Sequence, residues 1–393
     1  MATLHLPNIA STSPTLAEVM RACLLRAGLS RTPDALKLAL GNPKGWLGTA
    51  YHEVLESIPK ADLKQESLQA AVDRLWTAAI AKQLQNVAGH PLNRRYGAPE
   101  GWPGYFLAKA SVFLRAQEIV TVSPSPMGNP GSPHAVTQAS AAIREVKFAA
   151  CNGKLTGRPD VIRPGEIVDF KSGTVHELDD SASSETVKSA YVRQLRIYGY
   201  LVKQTLGWWP QRGILLPLVG AGVEVPLQEA TCEEEAQQAV NLLESYNTKA
   251  TSRASPAGLA SPGPEVCKWC PFKIICSPFW GSATPSWAGQ LDGEAIEAIA
   301  DAPPKPIYNG EALALTVNIK RGTVPETRTS IAPINPVTHP AAGTVAPTET
   351  IRITGLRARP DGALVPVQRT VISSLKDTPV LSAPTGSATI SPR

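Results

Sequence analysis

The chain has 393 residues, 43% of them hydrophobic and 18% charged, with a formal net charge of +5. That length exceeds one domain of ordinary size, so two domains with connecting segments are expected around a proper core. No run of about 18 apolar residues occurs, and no basic stretch followed by an apolar one is evident near Met1, so neither a membrane-spanning segment nor a secretory signal is expected, and a cytoplasmic setting is.

The first 120 residues read as mainly helical. "GWLGTAYHEVLESI" puts Leu47, Tyr51, Val54, Leu55 and Ile58 at helical spacing before Pro59 stops the run, and "ESLQAAVDRLWTAAIAKQL" and "GWPGYFLAKASVFLRAQEIV" repeat the pattern. Residues 123–133, rich in Pro, Ser and Gly, are expected to be a loop. Next, "IREVKFAA", "KLTGRPDVI" and "EIVDFKSG" predict three strands of an antiparallel meander. A helix over 186–206, strands in "RGILLPLV" and "GVEVPL", and a helix from "CEEEAQQAVNLLESY" complete an α/β pattern, a small mixed sheet flanked by helices. Residues 251–264 form a second linker-like tract before the cysteine block "CKWCPFKIIC". This first domain is placed at 1–280. Alternating runs beyond it predict a small all-β domain over 281–380, an OB-like barrel being one form, with 381–393 a disordered tail.

The chemistry concentrates in two places. Asp169 and Lys171 share a strand face because side chains alternate with period two, and Asp160, at the end of the preceding strand, can meet them. Carboxylates so placed repel unless a cation lies between them, which suits hard divalent ions such as Mg²⁺ or Mn²⁺. Lys171 beside such an ion can hold a water and offset charge on a phosphate oxygen. Glu145 is a further candidate carboxylate, equally readable as a solvent-facing strand residue. Six cysteines in such a chain point to metal binding or buried thiols rather than a disulfide framework. Cys267, Cys270 and Cys276 read as a metal site lacking one ligand, with Cys23, Cys151 and Cys232 as candidates for the fourth. Cys151 and Cys232 have ready readings as small buried or capping residues.

"GRPD" with Asp160 and "DFK" with Asp169 and Lys171 resemble the signature of the PD-(D/E)xK nuclease superfamily. "GTAYHEVLE" and "QLRIY" are similar to motifs of its RecB-like branch, the second placing Gln194 and Tyr198 four apart on one helix face. The resemblance implies a restriction-endonuclease-like core, with His52 and the Phe170 carbonyl joining Asp160 and Asp169 as metal ligands. It also implies that Gln194 and Tyr198 shape the active site and position the DNA backbone. An iron–sulfur subset of that branch, which includes AddB-type and CRISPR-adaptation nucleases, carries one cysteine before the core and three after it in this spacing. Cys23, Cys267, Cys270 and Cys276 would thus hold a [4Fe–4S] cluster stapling the two ends of the core, with Zn²⁺ the rival occupant.

The implied function is a metal-dependent DNA nuclease, with exonuclease action favoured, serving repair, recombination or defence. The alternative is a non-cleaving DNA-binding scaffold. No P-loop motif is present, so any ATP-driven unwinding would come from a helicase or recombination partner. In the tail, Arg352, Arg357 and Arg359 fall together on or beside an expected β-hairpin; an oligonucleotide-binding barrel would use them along a strand-binding groove, while the near balance of acidic and basic residues there reads equally as an ordinary solvated surface.

Overall fold

The computed structural model describes residues 5–88, 90–122, 142–178, 185–252 and 255–376. The loop expected at 123–133 and the tail expected at 381–393 lie outside the described residues.

The helical first part comprises α1 (Pro14–Ala22), α2 (Leu24–Leu29), α3 (Pro33–Leu36), α4 (Pro43–Ser57), α5 (Leu68–Ala88) and α6 (Tyr105–Val122). Pro occupies the first turn of α1, α3 and α4, where its missing N–H costs nothing, and the Ser13 and Asn42 side chains cap α1 and α4.

The central strands are β1 (Ile143–Arg144), β2 (Phe148–Ala150), β3 (Leu155–Gly157), β4 (Val161–Arg163) and β5 (Glu166–Lys171), then the β6 (His176–Leu178) and β7 (Glu185–Val187) pair. After α7 (Ser189–Leu206) come β8 (Arg212–Pro217) and β9 (Val223–Pro226), then α8 (Glu229–Thr251). The main sheet has the order β1-β4-β5-β8-β9, and only β5 and β8 run parallel. Helix α7 is the crossover between those two strands.

Each face of this sheet carries helices. Val161, Val168 and Phe170 pack with Leu47, Tyr51, Val54, Trp76 and Val112 from α4, α5 and α6. Ile162, Ile167 and Leu215 pack on the other side with Leu195, Leu201 and Val202 of α7 and Ala236 and Val240 of α8. Residues of β5 therefore alternate between two apolar layers, as period two requires.

The expected three-strand meander is corrected. The first run breaks at Glu145, whose φ of 52° is the left-handed region, and yields β1 and β2. The second breaks at Arg158-Pro159-Asp160, where Pro159 has no N–H for a ladder. Strands β2 and β3 form a separate two-stranded sheet, through a turn in which Cys151, Asn152 and Gly153 all have positive φ, and Thr12 bridges to Leu155 of β3. Asp160 consequently stands just before a strand, not at the end of one.

Among the described residues, the tract expected as a linker at 251–264 is packed and not a free spacer. Helix α8 runs to Thr251, Ser255 caps the short α9 (Pro256–Leu259), and Leu259 is buried beside Met20, Leu243 and Phe272. The cysteine block then folds as α10 (Pro264–Cys267), a 3₁₀ turn at Lys273–Ile275 and α11 (Ser277–Ser282), so the boundary expected at 280 falls inside a helix.

The C-terminal region is a closed ring of five strands: β10 (Glu294–Ala300), β12 (Ala312–Gly322), β13 (Arg328–Ile334), β15 (Leu364–Val365) and β14 (Thr350–Ala358), which pairs back to β10. Only β13 and β15 are parallel in that ring; β11 (Lys305–Ile307) flanks β12 and β16 (Val371–Ser374) flanks β14. Ile296, Leu315, Val317, Ile331, Ile351 and Ile353 fill its interior. Arg352 corrects the expected groove: it is 4% exposed, pairs with Glu297 at 2.9 Å and donates to the Ile274 carbonyl at 2.7 Å. Arg357 and Arg359 alone of the three are exposed.

Candidate active site

The site lies where β5 ends between the two helical layers. Asp169 and Lys171 share the β5 face that turns toward α7, and Asp160 precedes β4 next to Asp169. Instead of a further ladder bond between β4 and β5, Asp160 Oδ2 accepts the Phe170 N–H at 2.6 Å. This charge-assisted bond fixes one carboxylate oxygen against the strand. His52 approaches from α4, its Nδ1 3.6 Å from Asp160 Oδ1. Two glycines allow these approaches. A Cβ at Gly48 would stand 2.5 Å from Ser172 Oγ, and one at Gly157 would stand 3.0 Å from the Tyr198 ring.

Lys171 is the hub. Its Nζ lies 2.5 Å from Asp169 Oδ2, donates to Gln194 Oε1 at 2.6 Å, and sits 4.3 Å from the centre of the Tyr191 ring. Gln194 Nε2 in turn faces Asp169 Oδ1 and the Tyr198 hydroxyl, both at 3.2 Å. One amide therefore orients the lysine, the aspartate and the tyrosine together.

Burial sets the electrostatics. Asp169 is 2% exposed, and burial pushes its carboxyl up to about 6 despite the opposing Lys171 charge. Glu145 is pushed up to about 7, first by burial and then by the neighbouring Asp160 carboxylate, with Arg158 opposing. His52 is pulled down by burial, but its hydrogen bond to Asp160 and that carboxylate's charge outweigh burial, so it protonates more readily than usual. Burial likewise raises Tyr198, which stays a neutral phenol.

His52, Asp160, Asp169, Lys171, Gln194 and Tyr198, drawn from distant parts of the sequence, are thus brought together. Glu145 joins them because its left-handed backbone turns the chain at β1, where its N–H donates to the Asp160 carbonyl at 3.3 Å and its carboxyl comes within the influence of that of Asp160. Among the described residues, no group of three or more His, Cys, Asp and Glu side chains is closed up around a metal position. The expected ligand set is instead engaged internally: Asp169 by Lys171 and Gln194, Asp160 by the Phe170 N–H. The donors themselves, carboxylate oxygens with one imidazole, are those that hard divalent ions prefer. Three contributors were not singled out in the sequence: Tyr191, Arg158, and Glu56, which follows His52 by four positions and so shares its helix face.

The cysteines divide clearly. Cys23, Cys267, Cys270 and Cys276 line one cavity together with Arg26, Leu29 and Phe272. Cys23 sits in the extended break between α1 and α2, at φ −164° and ψ 113°. Burial pushes the Cys270 thiol up to about 11 and the Cys276 thiol up to about 12. Cys151 lies elsewhere, 3.6 Å from the Tyr200 hydroxyl, and Cys232 is buried in α8 against Gly199.

A mixed sheet with a crossover helix, carrying an Asp and an Asp-x-Lys pair at one end, defines a nuclease-type core. Residues 11–277 match the model of the PD-(D/E)XK nuclease superfamily, and the chain belongs to that superfamily. The matched region spans Cys23 and ends one residue after Cys276. A solved structure of a candidate exonuclease from Eubacterium rectale is similar at 12% identity and a TM-score of 0.34, covering 62% of this chain and 82% of that one. No curated protein matches. Among the described residues, no helix is long and apolar enough to cross a membrane.

Proposed function

We propose that the protein is a divalent-metal-dependent DNA nuclease of the RecB-like branch, acting on DNA ends as an exonuclease. The observation that carries this reading is Lys171, a nearly sealed ammonium held between Asp169 and the Gln194 amide. A cation costs much to bury, and this one is buried where Asp169 pairs with it and the Gln194 amide accepts from it, on the strand that also carries the Asp160-bound Phe170 N–H.

In this reading Asp160 and Asp169 hold Mg²⁺ or Mn²⁺, with His52 and the Phe170 carbonyl as further ligands. The ion would supply Lewis-acid stabilisation of the phosphate charge. Lys171 orients the attacking water and offsets charge on the phosphate oxygen. Gln194 keeps the lysine and Asp169 in register, and Tyr198, kept protonated by burial, anchors the amide. The second site is proposed to hold a [4Fe–4S] cluster, or Zn²⁺ in its place, on Cys23, Cys267, Cys270 and Cys276. The shared cavity supports that set, and its thiols would have to ionise on loading. The closed ring β10-β12-β13-β15-β14 supports an OB-like reading of the C-terminal region. DNA contact there rests on Arg357 and Arg359, since Arg352 is committed to the interior.

The test is degradation of end-labelled linear DNA, single- and double-stranded, with Mg²⁺, Mn²⁺ or EDTA. Cutting that needs the metal and falls at least about 100-fold in Asp169→Ala, as expected when a charge-stabilising group is lost, supports the proposal. A folded wild type that binds DNA but leaves every substrate intact would replace it with the scaffold reading.

A further inference from the structure

Each carboxylate of the site has a cation or donor against it, and the one against Glu145 differs from the others. Lys171 keeps only 11% of its side chain exposed. Arg158 keeps 56%, yet its Nε stands 2.8 Å from Glu145 Oε2 and its Nη2 3.9 Å from Glu56 Oε2. It therefore bridges a carboxylate from α4 and one from the β1–β2 kink on the solvent side of Asp160. Among the described residues it is the cation paired with Glu145. Pro159 follows it and restricts its backbone two residues before Asp160, while more than half of its side chain is open to solvent.

We propose that Arg158 is the internal counter-cation of the carboxylate site: it neutralises Glu145 and Glu56, and turns to a DNA phosphate when a divalent ion held by Asp160 and Asp169 offsets that charge in its place. This rests on the nuclease reading above. A planar guanidinium matches carboxylate and phosphate with the same fork of donors, so one side chain can serve both partners. Solvent-exposed ion pairs are weak, which makes the exchange easy. A doubly charged ion on Asp160, next to Glu145, would offset the negative charge more strongly than the single charge of Arg158 does. Arg158 is thereby a positioning residue for the substrate backbone, and its release is coupled to metal loading.

The experiment compares wild type, Arg158→Gln and the charge-keeping Arg158→Lys. Thermal unfolding is followed in EDTA and during titration with Mn²⁺. Binding of a fluorescently labelled DNA duplex is measured across salt concentrations, each protein carrying Lys171→Met so the DNA stays uncut. In EDTA, Arg158→Gln should melt below wild type, and saturating Mn²⁺ should close that gap. Its DNA affinity should fall about fivefold near physiological salt, with the slope of log affinity against log salt shallower by about one, the signature of one lost phosphate contact. Arg158→Lys should retain most of both properties, which separates loss of charge from misfolding. Equal Mn²⁺ shifts and equal salt slopes for Arg158→Gln and a wild type that does cut DNA would overturn the proposal. A wild type that neither gains stability from Mn²⁺ nor cuts would sink the nuclease reading itself.

Discussion

Gln194 shows how little freedom the site leaves a single residue. Its oxygen accepts from Lys171 and its nitrogen faces Asp169 and Tyr198, so the amide orientation is dictated by its neighbours. Gln194→Glu replaces the donor toward Asp169 with a second negative charge. The expected result is a fold kept at a cost of about 1–3 kcal/mol and a turnover reduced at least about tenfold, read from urea unfolding and steady-state cleavage. Unchanged turnover would remove Gln194 from the working site. Gly48 makes a second case, since a Cβ there would stand 2.5 Å from Ser172 Oγ and 3.3 Å from its Cβ, so Gly48→Ala forces Ser172 to turn or presses α4, and His52 with it, away from the end of β5. A loss of about 1–3 kcal/mol and weaker Mn²⁺ binding are expected, with Ser172→Gly restoring much of both. Failure of that rescue would place the damage elsewhere. At this scale Asp169 and Lys171 were legible because period two puts them on one face. Arg158 and Glu56 were not singled out, because an exposed charge beside an apolar run looks like any solvated surface until the partner strand is folded against it.

The elements tell a complementary story. The long helices were legible from apolar spacing and from their prolines, and the observed α7 and α8 begin within a few residues of expectation. The breaks were hidden. A single left-handed residue at Glu145 and the Pro159 interruption each split a run whose composition reads as one strand, and backbone φ carries no signal in a non-glycine sequence. Residues 251–264 read as a linker from their Ser, Pro and Gly content, yet Leu259 finds a buried place there because α8 has already supplied Leu243 beside it. The break at Cys23 matters for the same reason. An extended residue between two short helices sets its thiol on the cavity that the C-terminal cysteines share. Purification without oxygen, followed by metal analysis and visible absorbance, should find iron or zinc in wild type and in Cys151→Ser. Cys276→Ser and Cys23→Ser should lose it. Metal retained in all four proteins would show that this cavity is not the binding site.

At the scale of the whole molecule, the barrel and the cysteine block are one packed body. Lys273, 2% exposed, pairs with Asp292, and Trp280 donates to the Lys273 carbonyl. From the other side, Arg352 of β14 reaches the Ile274 carbonyl, pairs with Glu297 opposite it on β10, and lies 5.2 Å from the Trp280 ring centre. Val371 of β16 joins the apolar cluster of Phe272, Ile274 and Ile275. The loop between Cys270 and Cys276 is thus gripped by the barrel, so the geometry of the cysteines depends on a region beyond the nuclease core. Arg352→Met leaves the buried Glu297 only the more distant and exposed Arg321, at 3.6 Å, and should cost somewhat less than the about 3–5 kcal/mol of a fully orphaned buried charge. Arg352→Met with Glu297→Leu removes both charges and should recover most of that loss. Both variants, melted with and without bound metal, decide how far the coupling reaches. If the barrel stabilises the cysteine block, Arg352→Met should also release metal to a chelator faster than wild type, and the double variant should return toward the wild-type rate. Unchanged metal release in a destabilised Arg352→Met would mean that the barrel rests on the cysteine block without supporting it.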